Sequence, residues 1–283
     1  MPTNTPDPAA AGLSSGPGSV FNPAQAVPWR TYGALLGAKD TFAADREAAA
    51  EMCRTLHGVP VKEVTRENAA ALIRAVHLLA GQGHTQFADL GGGRPMNRLN
   101  DDNLPDLATV AEAEQPARQW LLLDSDVSAV TAGRALLGGE GVAVVQQDLR
   151  HLPGVMAALH GHLDMSRPVV VILGAVLHFL TMPEAQLLLD ALWAELASGS
   201  VVVVTHLTGE GADPDTVQAG AKAYRTLHGI DIYPRTRQEI TGLAARFDLR
   251  PPGVVQTIEY EPPDAGPAPV PGPHFLMWVA ERS

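Results

Sequence analysis

The sequence predicts an α/β domain on a mostly parallel, doubly wound sheet, and three observations carry that prediction. Apolar segments alternate with helix-forming segments between residues 86 and 208, the order that puts helices on both faces of one sheet. Two segments, RPVVVILGAV and VVVVTHL, are almost continuously hydrophobic, as a strand covered on both faces must be. Three others, QFADL, RQWLLLD and VAVVQQD, end on or beside an acid. That places carboxylates where open sheets of this kind bind ligands.

Residues 1–20 are rich in Pro, Gly, Ser, Thr and Ala and hold too little apolar surface for a core, so a mobile tail is expected. Residues 21–81 are expected to form an N-terminal helical segment, and residues 82–283 the ligand-binding domain. DREAAAEMCRTLHG concentrates helix formers and stops at Gly58, a residue suited to the left-handed position after a helix. In TRENAAALIRAVHLLAGQG, the residues Ala69, Leu72, Ile73, Val76, Leu79 and Ala80 recur at helical spacing before Gly81. QFADLGG reads as a first strand running into a glycine loop, and RQWLLLD as a second. Between them, RPMNRLNDDNLPDLATVAEAEQPA reads as a lengthened loop plus a helix. SDVSAVTAGRALLGG fits a helix capped by Ser125 or Asp126. VAVVQQD, RPVVVILGAV and VVVVTHL follow as the third, fourth and fifth strands. TMPEAQLLLDALWAELASG opens on the capping-box pair Thr181 and Glu184, with Pro183 in the first turn. GVVQTIEY and HFLMWVAER read as a C-terminal antiparallel hairpin joined by a Pro- and Gly-rich loop.

Composition narrows the function. The chain of 283 residues is 46% hydrophobic, enough for one large core or a core with a small appendage. It has neither an apolar run of roughly 18 residues nor a secretory leader pattern, so a soluble, cytoplasmic protein without membrane contact is expected. The single cysteine, Cys53, excludes an internal disulfide framework and a cysteine-only zinc site. A formal net charge of −11 opposes nucleic acid as a partner. His160 and His162 lie close together without a carboxylate or cysteine at a ligand spacing, so no metal is expected.

The most informative stretch is FADLGGGR, residues 87–94. Its glycines let the backbone approach a ligand closely, and Asp89 is suited to accept hydrogen bonds from a ligand ammonium or from loop amides. Pro95 and Met96 follow Gly91 and Gly93, so the third glycine of a pyrophosphate-binding loop is missing and a dinucleotide fits poorly. Asp124 can accept from both hydroxyls of a ribose. Asp148 with Leu149 can bond and pack an adenine. Three acids at successive strand ends are more specific than any one alone.

These residues bring the chain close to a known group. It resembles the actinobacterial S-adenosylmethionine-dependent methyltransferases once grouped as a domain of unknown function. The likeness runs from about Phe21 to the C-terminus, through NPAQAVPWRTYGALLGAKDTFAADREAA, FADLGGGRP, LLLDSD, QQDLR, DMSRPVVVILGAVLHFL, VVVVTHLT and PRTRQEI. It implies a Rossmann-like class I methyltransferase fold with a seven-stranded sheet, helices on both faces and a C-terminal antiparallel hairpin. It also implies S-adenosyl-L-methionine as cofactor. Asp89, Gly91 and Gly93 would hold the methionine part, Asp124 with Ser125 the ribose, and Asp148 with Leu149 the adenine. Gly174 and Ala175, in the stretch running to His178, would line the other side, and Tyr32 belongs to the N-terminal block that closes over the site. The chain departs from the pattern in four places. Gly92 replaces the Thr of a Gly-Thr-Gly loop, Met96 replaces a Thr, NLPD (Asn103 to Asp106) occupies an Asn-Val-His-Glu block after extra residues with Pro105 in place of the His, and Gly37-Ala38-Lys39-Asp40-Thr41 replaces Gly-Gly-Lys-Asp-Asn.

Methyl transfer needs a nucleophile aligned with the sulfonium methyl and shielded from water. His178, just after the fourth strand, is the candidate catalytic residue, as a base or as a positional histidine; His206 is a weaker one. Tyr224, Tyr233, Arg235 and Arg237 lie where this fold covers its substrate. The expected partner is a small-molecule substrate from specialised metabolism, with a homodimer as the assembly to test. Two alternatives remain: a protein that binds the cofactor without transferring its methyl, and a nicotinamide-dependent oxidoreductase.

Overall fold

The computed structural model describes residues 21–95, 104–261 and 272–283. The expected N-terminal tail, Met96 with most of the lengthened loop, and the Pro- and Gly-rich loop before the last strand lie outside the described residues. The helices α1 (Pro28–Leu35), α2 (Ala43–Thr55) and α3 (Val61–Gly81) precede β1 (Gln86–Leu90). There follow α4 (Leu107–Glu114), β2 (Gln119–Asp124), α5 (Val127–Leu136), β3 (Val142–Gln146), α6 (Leu152–His162) and β4 (Val170–Gly174). After a 3₁₀ turn at Leu177–Phe179 come α7 (Met182–Glu195), β5 (Ser200–Thr208), α8 (Pro214–His228) and α9 (Arg237–Leu243). The chain ends in β6 (Asp248–Leu249), β7 (Val255–Gln256) and β8 (His274–Arg282).

The sheet has eight strands, in the order β3-β2-β1-β4-β5-β8-β6, with β7 also paired to β8. Strands β1 to β5 are mutually parallel. β8 lies antiparallel to β5 along its whole length, from Ser200 opposite Arg282 to Thr208 opposite His274. The strand order reverses between β1 and β4, which opens a crevice beyond their carboxyl ends.

Two differences from the sequence reading concern the C-terminus. The expected hairpin strand GVVQTIEY shrinks to Val255–Gln256 followed by a 3₁₀ turn, and the main partner of β8 is β5. Asp248–Leu249 adds a further short strand, which brings the count from seven to eight. Backbone hydrogen bonds outweigh local pattern here: β8 fills both edges of its ladder, with β5 on one side and β6 and β7 on the other.

Strand alternation divides the core into two layers. Leu121, Leu123, Val171 and Leu173 face α6, α7 and α9, with Leu159, Leu188, Leu192 and Ile240. Trp120, Leu122, Val170 and Ile172 face α3 and α4, with Leu72, Val76, Leu79 and Ala111. Thus α3, part of the 21–81 segment, packs into the sheet's own core, whereas α1 lies over the carboxyl ends of the strands. The capping box at α7 forms as expected, with Glu184 accepting from the Thr181 amide at 2.8 Å and Thr181 Oγ1 accepting from the Glu184 amide. Asp126, not Ser125, caps α5 by accepting from the Ser128 and Ala129 amides.

Candidate active site at the carboxyl ends of the strands

One cavity of about 1050 Å³ lies beyond the carboxyl ends of the strands. Tyr32, Asp89, Gly91, Gly93, Asp124, Ser125, Asp148, Leu149, Gly174, Ala175 and His178 all line it. Residues far apart in sequence meet there because parallel strands deliver their ends to one edge of the sheet.

The glycine loop is shaped by what surrounds it. Gly91 has φ +78°, and a Cβ on it would sit 2.4 Å from Val176 Cγ2. Gly93 has φ +65°, and its Cβ would press on Trp29 at 2.9 Å. Gly92, where the resembling family carries Thr, has no room for that side chain: a Cβ would lie 2.3 Å from Asp89 Oδ2 and 2.6 Å from Leu122 Cδ1. The substitution therefore matches the close seat of Asp89 beneath the loop.

Asp89 is only 7% exposed, and no donor among the described residues hydrogen-bonds its carboxylate. Burial, with Asp106 and Asp124 nearby, pushes its pKa up to about 8. A buried, unpaired carboxylate is costly until a cation or a donor reaches it, so this group calls for a ligand cation. Asp124 is different. Its Oδ2 accepts from the Gly93 amide at 2.9 Å and its Oδ1 from the Asp126 amide at 2.8 Å, tying the loop to the start of α5. Burial nonetheless raises its pKa to about 6, with the two amides pulling it down. Asp148 is half-exposed and accepts from the Arg150 amide at 2.8 Å. Leu149 is buried beside Gly91.

Beyond β4 the backbone is unusual. Ala175 has φ +52°, sparsely populated for a residue with a Cβ. Its amide is held by Thr205 Oγ1 at 2.9 Å and Thr205 O at 3.1 Å. His178 follows, fully buried, with Nδ1 accepting from the Leu207 amide at 3.4 Å. Arg235, 4% exposed, braces this turn from behind. Its Nη1 donates to Leu177 O at 2.9 Å and to His206 Nε2 at 2.5 Å, and its Nη2 donates to Leu180 O at 2.6 Å. His206 Nδ1 donates to Leu207 O at 2.8 Å, so both ring nitrogens are spoken for. Burial pushes the His206 pKa down to about 4, and it lowers that of His178 well below the usual value with His206 and Arg235 beside it. Both rings are neutral at physiological pH.

The N-terminal segment covers the cavity. Trp29 packs on Gly93, and Arg94 pairs with Asp40. Thr31 Oγ1 meets His228 Nε2 at 2.9 Å, and Arg30 forms a buried ion pair with Asp45 at 3.0 Å. Tyr32 reaches the cavity, but its hydroxyl donates to Thr65 O at 3.1 Å and accepts from Asn68 Nδ2 at 2.8 Å.

The structure sorts the remaining sequence candidates. Tyr224 and Tyr233 line the cavity, while His206, Arg235 and Arg237 stand outside its lining. His160 pairs with Glu195 at 2.7 Å. Sequence reading missed Trp29, Asp106 and Arg150 as lining residues. Trp29 had a readable signal in the PWRTYG block; Asp106 looks like the helix cap it also is.

The residues present fit S-adenosylmethionine: a buried carboxylate suited to a cation, a close-approach glycine loop, an acid at the end of β2, and an acid with a leucine after the end of β3. Fold and site together define a Rossmann-like, class I nucleoside-cofactor methyltransferase. The chain belongs to the S-adenosyl methyltransferase family, whose sequence profile matches residues 18–276. It is an S-adenosylmethionine-dependent methyltransferase. The solved structure of a Thermobifida fusca YX protein assigned to the methyltransferases is 30% identical with a TM-score of 0.81, covering 91% of this chain and 95% of that one. A DUF574 family protein from Streptomyces avermitilis is 27% identical with a TM-score of 0.81, covering 92% and 98% of the two chains. No curated protein matches the sequence.

Proposed function

We propose that this methyltransferase acts on a small molecule of specialised metabolism, bound with the cofactor in the cavity above the sheet. The observation that carries this reading is the size of the cavity and the residues that line it. A cavity of about 1050 Å³ is at the upper end of what one drug-sized ligand needs, roughly 300–1,000 Å³, and α1 roofs it. The net charge of −11 supports a partner other than nucleic acid. No helix among the described residues is long and apolar enough to cross a membrane, and we place the protein in the cytoplasm of an actinobacterium, with a homodimer as its assembly. In this reading residues 21–56 act as a lid on the catalytic body.

When bound, S-adenosylmethionine supplies a methyl group that the acceptor's lone pair takes as the carbon–sulfur bond breaks and its electron pair stays on sulfur. Asp89 receives the ammonium, with Gly91 and Gly93 allowing close approach. Asp124 and Ser125 meet the ribose, and Asp148 and Leu149 the adenine. Gly174, Ala175 and Tyr32 close the walls. His178 serves as a donor that positions the acceptor. With Nδ1 accepting from Leu207, the neutral ring carries its hydrogen on Nε2. A base role would create an imidazolium in a buried site near the Arg235 guanidinium. The acceptor's proton leaves to solvent.

The test is calorimetric titration of the full chain with S-adenosylmethionine and S-adenosylhomocysteine. Micromolar binding, weakened tenfold or more in Asp124→Ala, is the expected result. A folded wild type that binds neither ligand would overturn the reading.

A further inference from the structure

The cavity divides at the strand-order reversal. Its carboxylates Asp89, Asp124 and Asp148 stand at the ends of β1, β2 and β3. The other half, over β4, β5 and β8, is walled by His178, Phe179, Leu207, Val217, Tyr224 and Phe275. These side chains come from the 3₁₀ turn after β4, the end of β5, α8 and the start of β8.

Four rings in that half form a connected group. His178 meets Phe179 edge-on with centroids 4.4 Å apart, and lies 6.0 Å from Phe275. Phe179 lies 5.8 Å from Tyr224. Such spacings are those of aromatic clusters that accept a further ring by stacking or edge contact.

Charge points the same way. Among the described residues that line the cavity, each arginine is already paired: Arg30 with Asp45, Arg94 with Asp40, and Arg150 with Asp148 and Glu184. No lysine lines it. An anionic acceptor would enter an apolar half with no unpaired cation among its described lining residues, and burying such a charge is costly. His178 offers this half one polar hydrogen, on Nε2, in a ring whose Nδ1 is already occupied.

We infer that the β4–β5–β8 half is a chamber for an uncharged, planar aromatic acceptor bearing a hydroxyl that His178 orients. This rests on the methyltransferase reading and adds the substrate class. An aromatic hydroxyl also suits a site with a donor and no base. It ionises near pH 10, far more readily than an aliphatic one, and its proton goes to solvent water as the oxygen takes the methyl.

The test uses the full chain saturated with S-adenosylhomocysteine and three probes: 2-naphthol, 2-naphthoate and decahydro-2-naphthol, titrated by calorimetry. The expected result is that 2-naphthol binds at least tenfold more tightly than either other probe. Val217→Asp and Phe275→Leu are each expected to weaken it tenfold or more while S-adenosylhomocysteine binding changes by less than threefold. Either naphthoate or the saturated alcohol binding as well as 2-naphthol would overturn the inference. So would no binding of 2-naphthol to a chain that binds S-adenosylhomocysteine. Loss of S-adenosylhomocysteine binding by the wild type would instead overturn the cofactor reading, so the two failures are distinct. Should either variant fail to fold, the probe comparison on the wild type still decides.

Discussion

At the ends of β1, β2 and β3 the cavity is floored by carboxylates that sit on, or within two residues of, their own strands. At the ends of β4, β5 and β8 it is walled by side chains from a 3₁₀ turn, a helix, the segment after that helix and an antiparallel strand. In the proposed reading the first half uses short acids and bare backbone to meet a cofactor whose chemistry is constant. The second uses bulky rings from separate segments, of which only Phe275 stands on a strand. The contrast shows how one sheet fixes a cofactor while leaving acceptor choice to its surroundings.

Removing Arg235 should show the largest effect, because it holds the acceptor half together from behind. Arg235→Leu strips Leu180 O and His206 Nε2 of their donor and leaves Leu177 O with the Leu180 amide alone. At about 1–3 kcal/mol per buried unsatisfied group, partly relieved by relaxation, we expect a stability loss of about 3 kcal/mol in urea unfolding. A loss below about 1 kcal/mol would mean that the turn does not depend on this brace.

In the cofactor half the glycine loop comes next. Gly91→Ala forces a Cβ against Val176 at a positive φ, and strain of this kind costs about 1–3 kcal/mol. We expect affinity for S-adenosylhomocysteine to fall about a hundredfold, or ~2.7 kcal/mol. A change under threefold would show that the loop adapts.

Asp89→Asn should cost about thirtyfold, in line with hydrogen bonds to charged groups at roughly 1.5–3 kcal/mol. It also carries a proton signature. The folded chain holds the Asp89 proton up to about pH 8, whereas an unfolded chain loses it near pH 4. Across that window the unfolded state binds fewer protons, so this group makes stability fall as pH rises from about 4 to about 8 and then level off. Asp89→Asn removes that dependence, which urea unfolding at pH 5 and pH 8 will read. An arriving ammonium should also expel the proton. At pH 7, calorimetry in buffers of differing ionisation heat should find nearly one proton more released by the wild type than by the variant.

The smallest effect belongs to Asp148→Ala. Its carboxylate is half-exposed and shared with Arg150, so a threefold loss of S-adenosylhomocysteine affinity is expected, about 0.7 kcal/mol. A loss beyond thirtyfold would make the adenine end as demanding as the ammonium end.

Legibility in the sequence follows the same divide. Asp89, Asp124 and Asp148 were readable because each sits where an apolar run stops, and hydrophobic runs mark strands without knowledge of the fold. Tyr224 was flagged only by its place after β5, and Phe275 looked like any apolar strand residue. Arg235 sits in a loop, where arginines usually face water, so its burial behind His206 had no sequence signal. GVVQTIEY carried strand pattern beyond what the sheet uses, because β8 takes β5 as its main partner.

The sequence by itself determined the alternation of strands and helices, the glycine loop, the three strand-end acids and the capping of α7. All of these follow from periodicity, backbone freedom and hydrogen bonds between near neighbours. Only the tertiary structure decided that α1 roofs the cavity, that Asp89 is buried with no hydrogen-bond donor among the described residues, that Arg235 braces the turn carrying His178, and that four rings from separate segments face one chamber. Those facts depend on which surfaces exclude water from one another, and a linear pattern does not specify the far side of a contact.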